Sequence, residues 1–316
     1  MTDRRSTRVV GFLLAPLALV GLVLLAVRPA RAGEVPPSPA AAELERAFAS
    51  EQAGDAPGAL AAYGEAIAKD PASAQAHLGR GTLRQHLHDF DGSLVDLDRA
   101  LALDPKNASA WYVRGNTKQM KGDRLGACAD YAKAIELAPE DPYAYEGRGT
   151  VVLAGGDAAA ALPDFTRAIE LDPEFAFAYE GRSRARRDTD DLEEALEDLD
   201  KAIGLQEPFG VWLCNRGMMR FDAGRYAEAV LDLRASFGKP HDDVYRAYAR
   251  YYLWMARAQL GEREAASKEL RGWLDGEPAI VRRSWGGDLA RFVTGQGTEA
   301  ELGARVETFP AAERDV

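Results

Sequence analysis

The feature that most constrains this chain is a step of 34 residues that recurs at several independent positions. Pro71, Pro105, Pro139 and Pro173 are 34 apart, and so are Ala66, Ala100, Ala134, Ala168 and Ala202. Ala59, Ser93, Ala127, Ala161, Ala195 and Ala229 keep the same step, as do Gly81, Gly115, Gly149 and, past Ser183, Gly217. A fixed period of this length describes one supersecondary unit that buries its apolar face against copies of itself. At 316 residues a globular reading would give about two domains; the repeat replaces it with a single continuous core. A hydrophobic content of 47% is enough to pack such a core and excludes wholesale disorder.

The unit is clearest in Ala108–Pro139. One helix is expected from about Ala108 to Met120, a turn at Gly122-Asp123, and a second helix from about Leu125 to Leu137. Ala127 and Ala134 are small, so the two helices can approach closely, with Trp111, Tyr131 and Ile135 filling the space between them. Pro139 ends the second helix, because its ring cannot continue the ladder. Gly115 costs about 1 kcal/mol against alanine in mid-helix. Its recurrence therefore implies a helix–helix contact that only glycine allows. A second series runs through the array: Arg80, Arg114, Arg148, Arg182 and Arg216 are each followed 16 residues on by Asp96, Asp130, Asp164, Asp198 and Asp232. Half-buried charges need partners, so these groups are expected to pair. The first unit has Arg46 but Ala62.

Trp111, Gly115, Tyr131, Ala134 and Pro139 stand at the offsets of a tetratricopeptide (TPR) unit, and the chain resembles that family over six units, from about Ala40 to His241. The resemblance implies an all-α, right-handed helix-turn-helix solenoid whose first helices line a concave groove that binds a protein or peptide. The family's groove positions fall here on Phe48, Leu78, Gln85, Tyr112, Asn116, Gln119, Tyr143, Glu146, Phe177, Glu180, Arg184 and Arg187. For each of them the structural alternative is a solvated helix face or packing within the array. Tyrosine and arginine are residue types that anchor interfaces. The family's carboxylate clamp needs a lysine four residues before the asparagine of its first helix; Tyr112 stands there before Asn116, so that mode of tail binding is not expected.

The ends differ from the array. Arg4, Arg5 and Arg8 precede an uncharged run from Val9 to Val27, and Ala30-Arg31-Ala32 follows as a small-x-small pattern. That order reads as a secretory signal, and the run is also long enough for a retained membrane anchor. Either way the positive flank stays inside and the array lies outside the cytoplasm, in the periplasm or envelope. No cysteine stands near Ala32, which argues against a lipid anchor. Residues 33–40 form a Pro-rich linker, and residues 41–241 hold the six units. In residues 242–316 a degenerate seventh pair, carrying Tyr245, Tyr248, Tyr252, Met255 and Leu260 and then Ala265, Ala266, Leu270 and Trp273, leads into a C-terminal helical cap. The tail with Trp285, Phe292, Gly295 and Leu302 resembles the segment that follows the array in some bacterial envelope TPR lipoproteins.

Net charge is −11; removal of residues 1–32 takes five arginines and one aspartate and leaves −15. So acidic a chain does not bind nucleic acid through its overall field, and it meets membranes only through its N-terminal segment. Cys128 and Cys214 fall in the third and sixth units, too far apart for a disulfide. No metal, nucleotide or nucleophile motif is present, and no cofactor is implied. Gly79-Arg80-Gly81 and Gly147-Arg148-Gly149 are helical and have no strand before them. His86, His88, Asp89 and Asp91 form the one cluster with metal-ligand chemistry, at a position where other units place their turn. Asn107-Ala108-Ser109 matches a glycosylation sequon and carries no further argument. The expectation is a non-catalytic interaction scaffold. The alternatives are a membrane-tethered subunit of an envelope complex and a metal-dependent protein using the His86/His88 cluster.

Overall fold

The computed structural model describes residues 40–239, 243–276 and 295. The expected leader, most of the Pro-rich linker and the C-terminal cap beyond residue 276 lie outside the described residues. Fourteen α-helices are found among those described: α1 Ala41–Gln52, α2 Ala56–Lys69, α3 Ala74–His86, α4 Phe90–Leu103, α5 Ala108–Met120, α6 Arg124–Leu137, α7 Pro142–Ala154, α8 Ala158–Leu171, α9 Ala176–Asp188, α10 Leu192–Leu205, α11 Gly210–Asp222, α12 Tyr226–Ser236, α13 Asp243–Gln259 and α14 Arg263–Gly276. They pair in order as seven hairpins, and the fold is an all-α repeat solenoid. The odd-numbered helices are called A below and the even-numbered B. None of the described helices is long and apolar enough to cross a membrane.

Local chemistry explains the boundaries. Between A and B the chain passes through one left-handed residue, which is Gly54, Gly122, Gly156, Gly224 or Gly261 in five of the hairpins. His88 and Asp190 hold the same conformation in the other two, at φ 61° and 65°. The next residue caps helix B: Asp55, Asp89, Asp123 and Asp157 each accept from a backbone N–H three residues on, at 3.0 Å. Such caps contribute about 1 kcal/mol each. Each B helix from α2 to α8 stops two residues before its proline.

Within a hairpin the helices meet on small residues. Ala59, Ala127, Ala161, Ala195 and Ala229 are fully buried. Between them stands one large B-helix side chain: Tyr63, Leu97, Tyr131, Phe165, Leu199 or Leu233, none more than 1% exposed. Gly115 faces it as expected, since a Cβ there would lie 2.9 Å from Tyr131 Cε1. The following A helix supplies a second wall. A Cβ on Gly79, Gly147 or Gly181 would stand 2.4, 2.7 or 2.3 Å from the ring of Tyr63, Tyr131 or Phe165. Where the B-helix residue is leucine, the residue 16 positions on is Val113, Asn215 or Ala249 instead. Ring size and wall size are therefore matched, and this is the physical role of the Gly-Arg-Gly triplets. Trp111, expected between the helices, is only half-buried, because Tyr131 occupies that space. Its indole N–H donates to the Pro105 carbonyl at 2.9 Å.

The Arg/Asp series pairs as expected, within each hairpin. Nε and Nη2 of Arg80, Arg114, Arg148, Arg182 and Arg216 donate to the two carboxylate oxygens of Asp96, Asp130, Asp164, Asp198 and Asp232 at 2.6–2.8 Å. A second cation, four residues after the first, joins four of these five aspartates: Arg84, Lys118, Arg186 and Arg220 at 2.7–2.8 Å. Val152 occupies that position beside Asp164. Arg114 and Arg216 also reach back to Asp98 and Asp200 of the preceding hairpin. Arg46 pairs with Glu65 in place of the missing aspartate. Three of the arginines lie over an aromatic ring one turn earlier, Trp111, Tyr145 and Tyr179.

The concave face as a candidate functional site

Successive A helices touch one another, α3 with α5, α5 with α7, α7 with α9 and α11 with α13, which sets them along the inner face of the array. Of the expected groove residues on the A helices, Phe48 is exposed, Gln85 is buried and the others are half-buried. Tyr112 of α5 lies 6.5 Å from Tyr143 of α7, ring to ring, and Tyr143 lies 4.9 Å from Phe175. Phe175 continues to Phe177 of α9 at 6.4 Å, and Phe177 to Phe209 at 5.9 Å and to Trp212 of α11 at 5.5 Å. An unbroken row of rings thus crosses four A helices near their N-terminal ends. Edge and tilted contacts of this kind add about 0.5–1.5 kcal/mol each beyond area burial.

Phe175, Phe209 and Trp212 were not among the expected groove residues. The signal for the first two is in the period. Helix A is capped by Ser73, Asn107 and Asp141, each accepting a backbone N–H within its first turn. One and two steps later the same position is Phe175 and then Phe209, which make no side-chain cap. Two consecutive helices forgo a cap in exchange for a ring, and Phe209 remains 38% exposed.

Toward the helix C-termini the face becomes polar. The Tyr131 hydroxyl emerges between Asn116 and Gln119, 2.5 Å from Asn116 Oδ1 and 2.6 Å from Gln119 Oε1. One hydroxyl proton serves only one of these oxygens, so the other amide turns its NH2 to the phenol. Tyr112 is half-buried, and burial pushes its phenol up to about 12. Glu146 accepts from the Thr150 hydroxyl at 2.8 Å. Burial, with Glu180 as a nearby like charge, raises its carboxyl to about 7. Burial also raises Glu180, against the opposing effect of Arg184 and Arg187. Arg184 Nη1 is 3.9 Å from Glu180 Oε2, and Arg187 pairs with its neighbour Asp188 at 2.9 Å.

The raised Glu146 carboxyl gives a stability signature. The folded chain holds a proton there that the unfolded chain has released, so this group's contribution is full below the ordinary carboxylate range and is lost as pH rises toward about 7. Glu146→Gln is expected to be near neutral for stability in acid and stabilising at mildly alkaline pH, read by urea unfolding across that range. A variant whose effect is the same at all pH would show Glu146 to be solvated.

The remaining expected residues divide. Phe48 sits on α1, 38% exposed and edge-on to Tyr63 at 6.1 Å. Leu78 is half-buried on α3. Gln85 does not line an open face: it is buried, with its amide 3.9 Å from Met120 Sδ, because α5 covers the last turn of α3. In the His86–Asp91 stretch, His88 is the left-handed turn residue, Asp89 caps α4 and Asp91 pairs with Lys121. Among the described residues no three His, Cys, Asp or Glu side chains stand together as a metal site. Cys128 and Cys214 are not joined by a disulfide.

The tetratricopeptide repeat family profile matches residues 44–94, 120–174 and 147–208. No curated protein matches the chain. Among solved structures, a tetratricopeptide repeat protein from Parabacteroides merdae aligns with 18% identity over 81% of this chain and 98% of that one, at a TM-score of 0.57. PilW, described as a widely conserved type IV pilus biogenesis factor, aligns with 20% identity over 64% and 95%, at 0.59. Pseudomonas aeruginosa pilF aligns with 18% identity over 62% and 89%, at 0.57. At these identities the likeness speaks for the fold. With the 34-residue period, the seven hairpins and the family profile in agreement, the chain belongs to the tetratricopeptide repeat family.

Proposed function

We propose that this chain is a non-catalytic interaction scaffold that acts outside the cytoplasm and holds a protein segment in the concave groove of its A helices. The observation that carries the reading is the ring row from Tyr112 to Phe209, which occupies two capping positions and stays partly open to solvent. Aromatic anchors on a fixed backbone suit the helix-in-groove and extended-peptide modes of recognition. Export rests on the order of the leader, with residues 1–32 removed or retained as an anchor, residues 33–40 as a spacer, residues 41–241 as the array and residues 242–316 as its terminal covering. The retained form would be a membrane-tethered subunit, a reading favoured by the uncharged run from Val9 to Val27. Intact mass of the extracted protein separates the two cases.

The test is affinity capture from envelope extract with the full-length chain and two variants. Tyr112→Ala/Tyr143→Ala/Phe177→Ala removes three rings. Phe209→Asn removes one ring and supplies the missing cap, which offsets lost packing by about 1 kcal/mol and keeps the array folded. A partner held by the wild type is expected to be lost from the triple variant and weakened about tenfold, or about 1.4 kcal/mol, by Phe209→Asn. Equal retention by all three proteins would reject the groove.

A further inference from the structure

Every aspartate of the internal ladder sits in a guanidinium fork at 2.6–2.8 Å, four of the five take a second cation, and in two hairpins the arginine also reaches an acid of the neighbouring unit. In that ladder every carboxylate is given a close cation. The groove carries two half-buried carboxylates that are treated differently. Glu146 and Glu180 occupy the same position on consecutive A helices, one 34-residue step apart. Glu146 is faced by phenols from α5 and α6 (Tyr112 and Tyr131), by the Thr150 hydroxyl on its own helix, and by Glu180 and Arg184 from α9. Two cations of α9 act on the pair, Arg184 and Arg187; Arg184 stays 3.9 Å from Glu180, beyond hydrogen-bonding distance, and Arg187 pairs with Asp188. Among the described residues neither acid sits in a guanidinium fork. Each also has a ring of the aromatic row one turn earlier on its own helix, Tyr143 before Glu146 and Phe177 before Glu180. The chain already uses ring, guanidinium and carboxylate together: Arg114 lies 4.6 Å over Trp111 while its fork holds Asp130.

We propose that the groove selects a partner segment bearing a lysine or arginine beside an apolar or aromatic residue, with the cation seated at Glu146 and Glu180 and the apolar neighbour on the ring row. The partner's cation supplies the close positive charge that the two acids lack, and the adjacent rings attract a cation as well. This rests on the groove reading and names the chemistry of its occupant. A bound cation favours the ionised form of Glu146, so affinity rises with pH across the range in which that carboxyl, raised by burial, gives up its proton.

The test pans a random dodecapeptide phage library on the purified full-length chain, on Glu146→Gln/Glu180→Gln and on the triple ring variant, each checked for native helicity. Selected peptides are then titrated by fluorescence anisotropy. Peptides held by the wild type are expected to carry Lys or Arg next to an apolar residue. Replacing that cation by norleucine should weaken binding to the wild type about tenfold, and to Glu146→Gln/Glu180→Gln less than about twofold. Wild-type affinity should rise between about pH 6 and pH 8. Selected peptides without a cation that still require the rings would overturn the cation seat and leave the groove standing. Peptides indifferent to the rings, or no selection at all, would overturn both.

Discussion

Replacing Asp96 by alanine is expected to destabilise the second and third hairpins by about 3–5 kcal/mol. Its side chain is 1% exposed and receives the Arg80 fork, Arg84 at 2.8 Å and His77 Nδ1 at 3.4 Å. Truncation leaves two guanidinium groups partly buried with nothing to neutralise them, and that cost exceeds the net contribution of the pairing itself. Removing all the charges at once should therefore do less harm: Arg80→Leu/Arg84→Leu/Asp96→Leu is expected to recover most of the loss. Asp164→Ala is the internal comparison. Asp164 holds only Arg148 and its own side chain is more exposed, at 11%, and the expected loss is about 2 kcal/mol. Urea unfolding, with amide exchange to locate the weakened hairpins, reads all three. A loss below about 1 kcal/mol for Asp96→Ala would assign the ladder to the solvated class of ion pairs.

The second large effect is at the glycine wall. Phe165 is pinned between Gly149, where a Cβ would come to 3.1 Å of the ring, and Gly181, where it would come to 2.3 Å. The ring cannot retreat from one wall without striking the other. Gly181→Val is expected to cost about 3 kcal/mol from overpacking, more than any gain in helix propensity returns. The chain itself contains the remedy, since the residue 16 positions after Leu97 is Val113, the equivalent of Gly181 after Phe165. Phe165→Leu/Gly181→Val recreates that pair and is expected to be more stable than Gly181→Val alone, with a favourable coupling of about 2 kcal/mol in a double-mutant cycle. Additive single effects would show that the two positions do not share one space.

Much of this architecture is legible in the sequence because a period reports several constraints at once. Proline stops, small contact residues and the 16-residue Arg/Asp spacing each follow from the geometry of one hairpin, and each appears where the period places it. Contacts between hairpins are harder to read. The backward reach of Arg114 and Arg216 and the matching of ring to glycine join residues of different hairpins, and no single face pattern contains them. The groove illustrates the same division. The family positions Tyr112, Tyr143 and Phe177 stand together in the row of rings. Gln85 is buried; a face rule takes no account of what the next helix covers. The family positions passed over Phe175 and Phe209, because those stand at caps, where a polar residue is expected. A break in a periodic cap series is a readable mark, and here it points to the row of rings.

The double-walled fit of Tyr131 and Phe165 has a consequence for recognition. Each of these rings fastens one hairpin to the next, so α5, α7 and α9 are held at fixed spacing beneath Tyr112, Tyr143 and Phe177. The entropy of ordering that surface is spent when the chain folds, before any ligand arrives. On the proposed function, a segment entering the groove would meet preset distances and have only its own freedom to lose. Selectivity among partners would then come from how well a candidate's side-chain spacing meets that template, and differences in affinity should show mainly as differences in residence time.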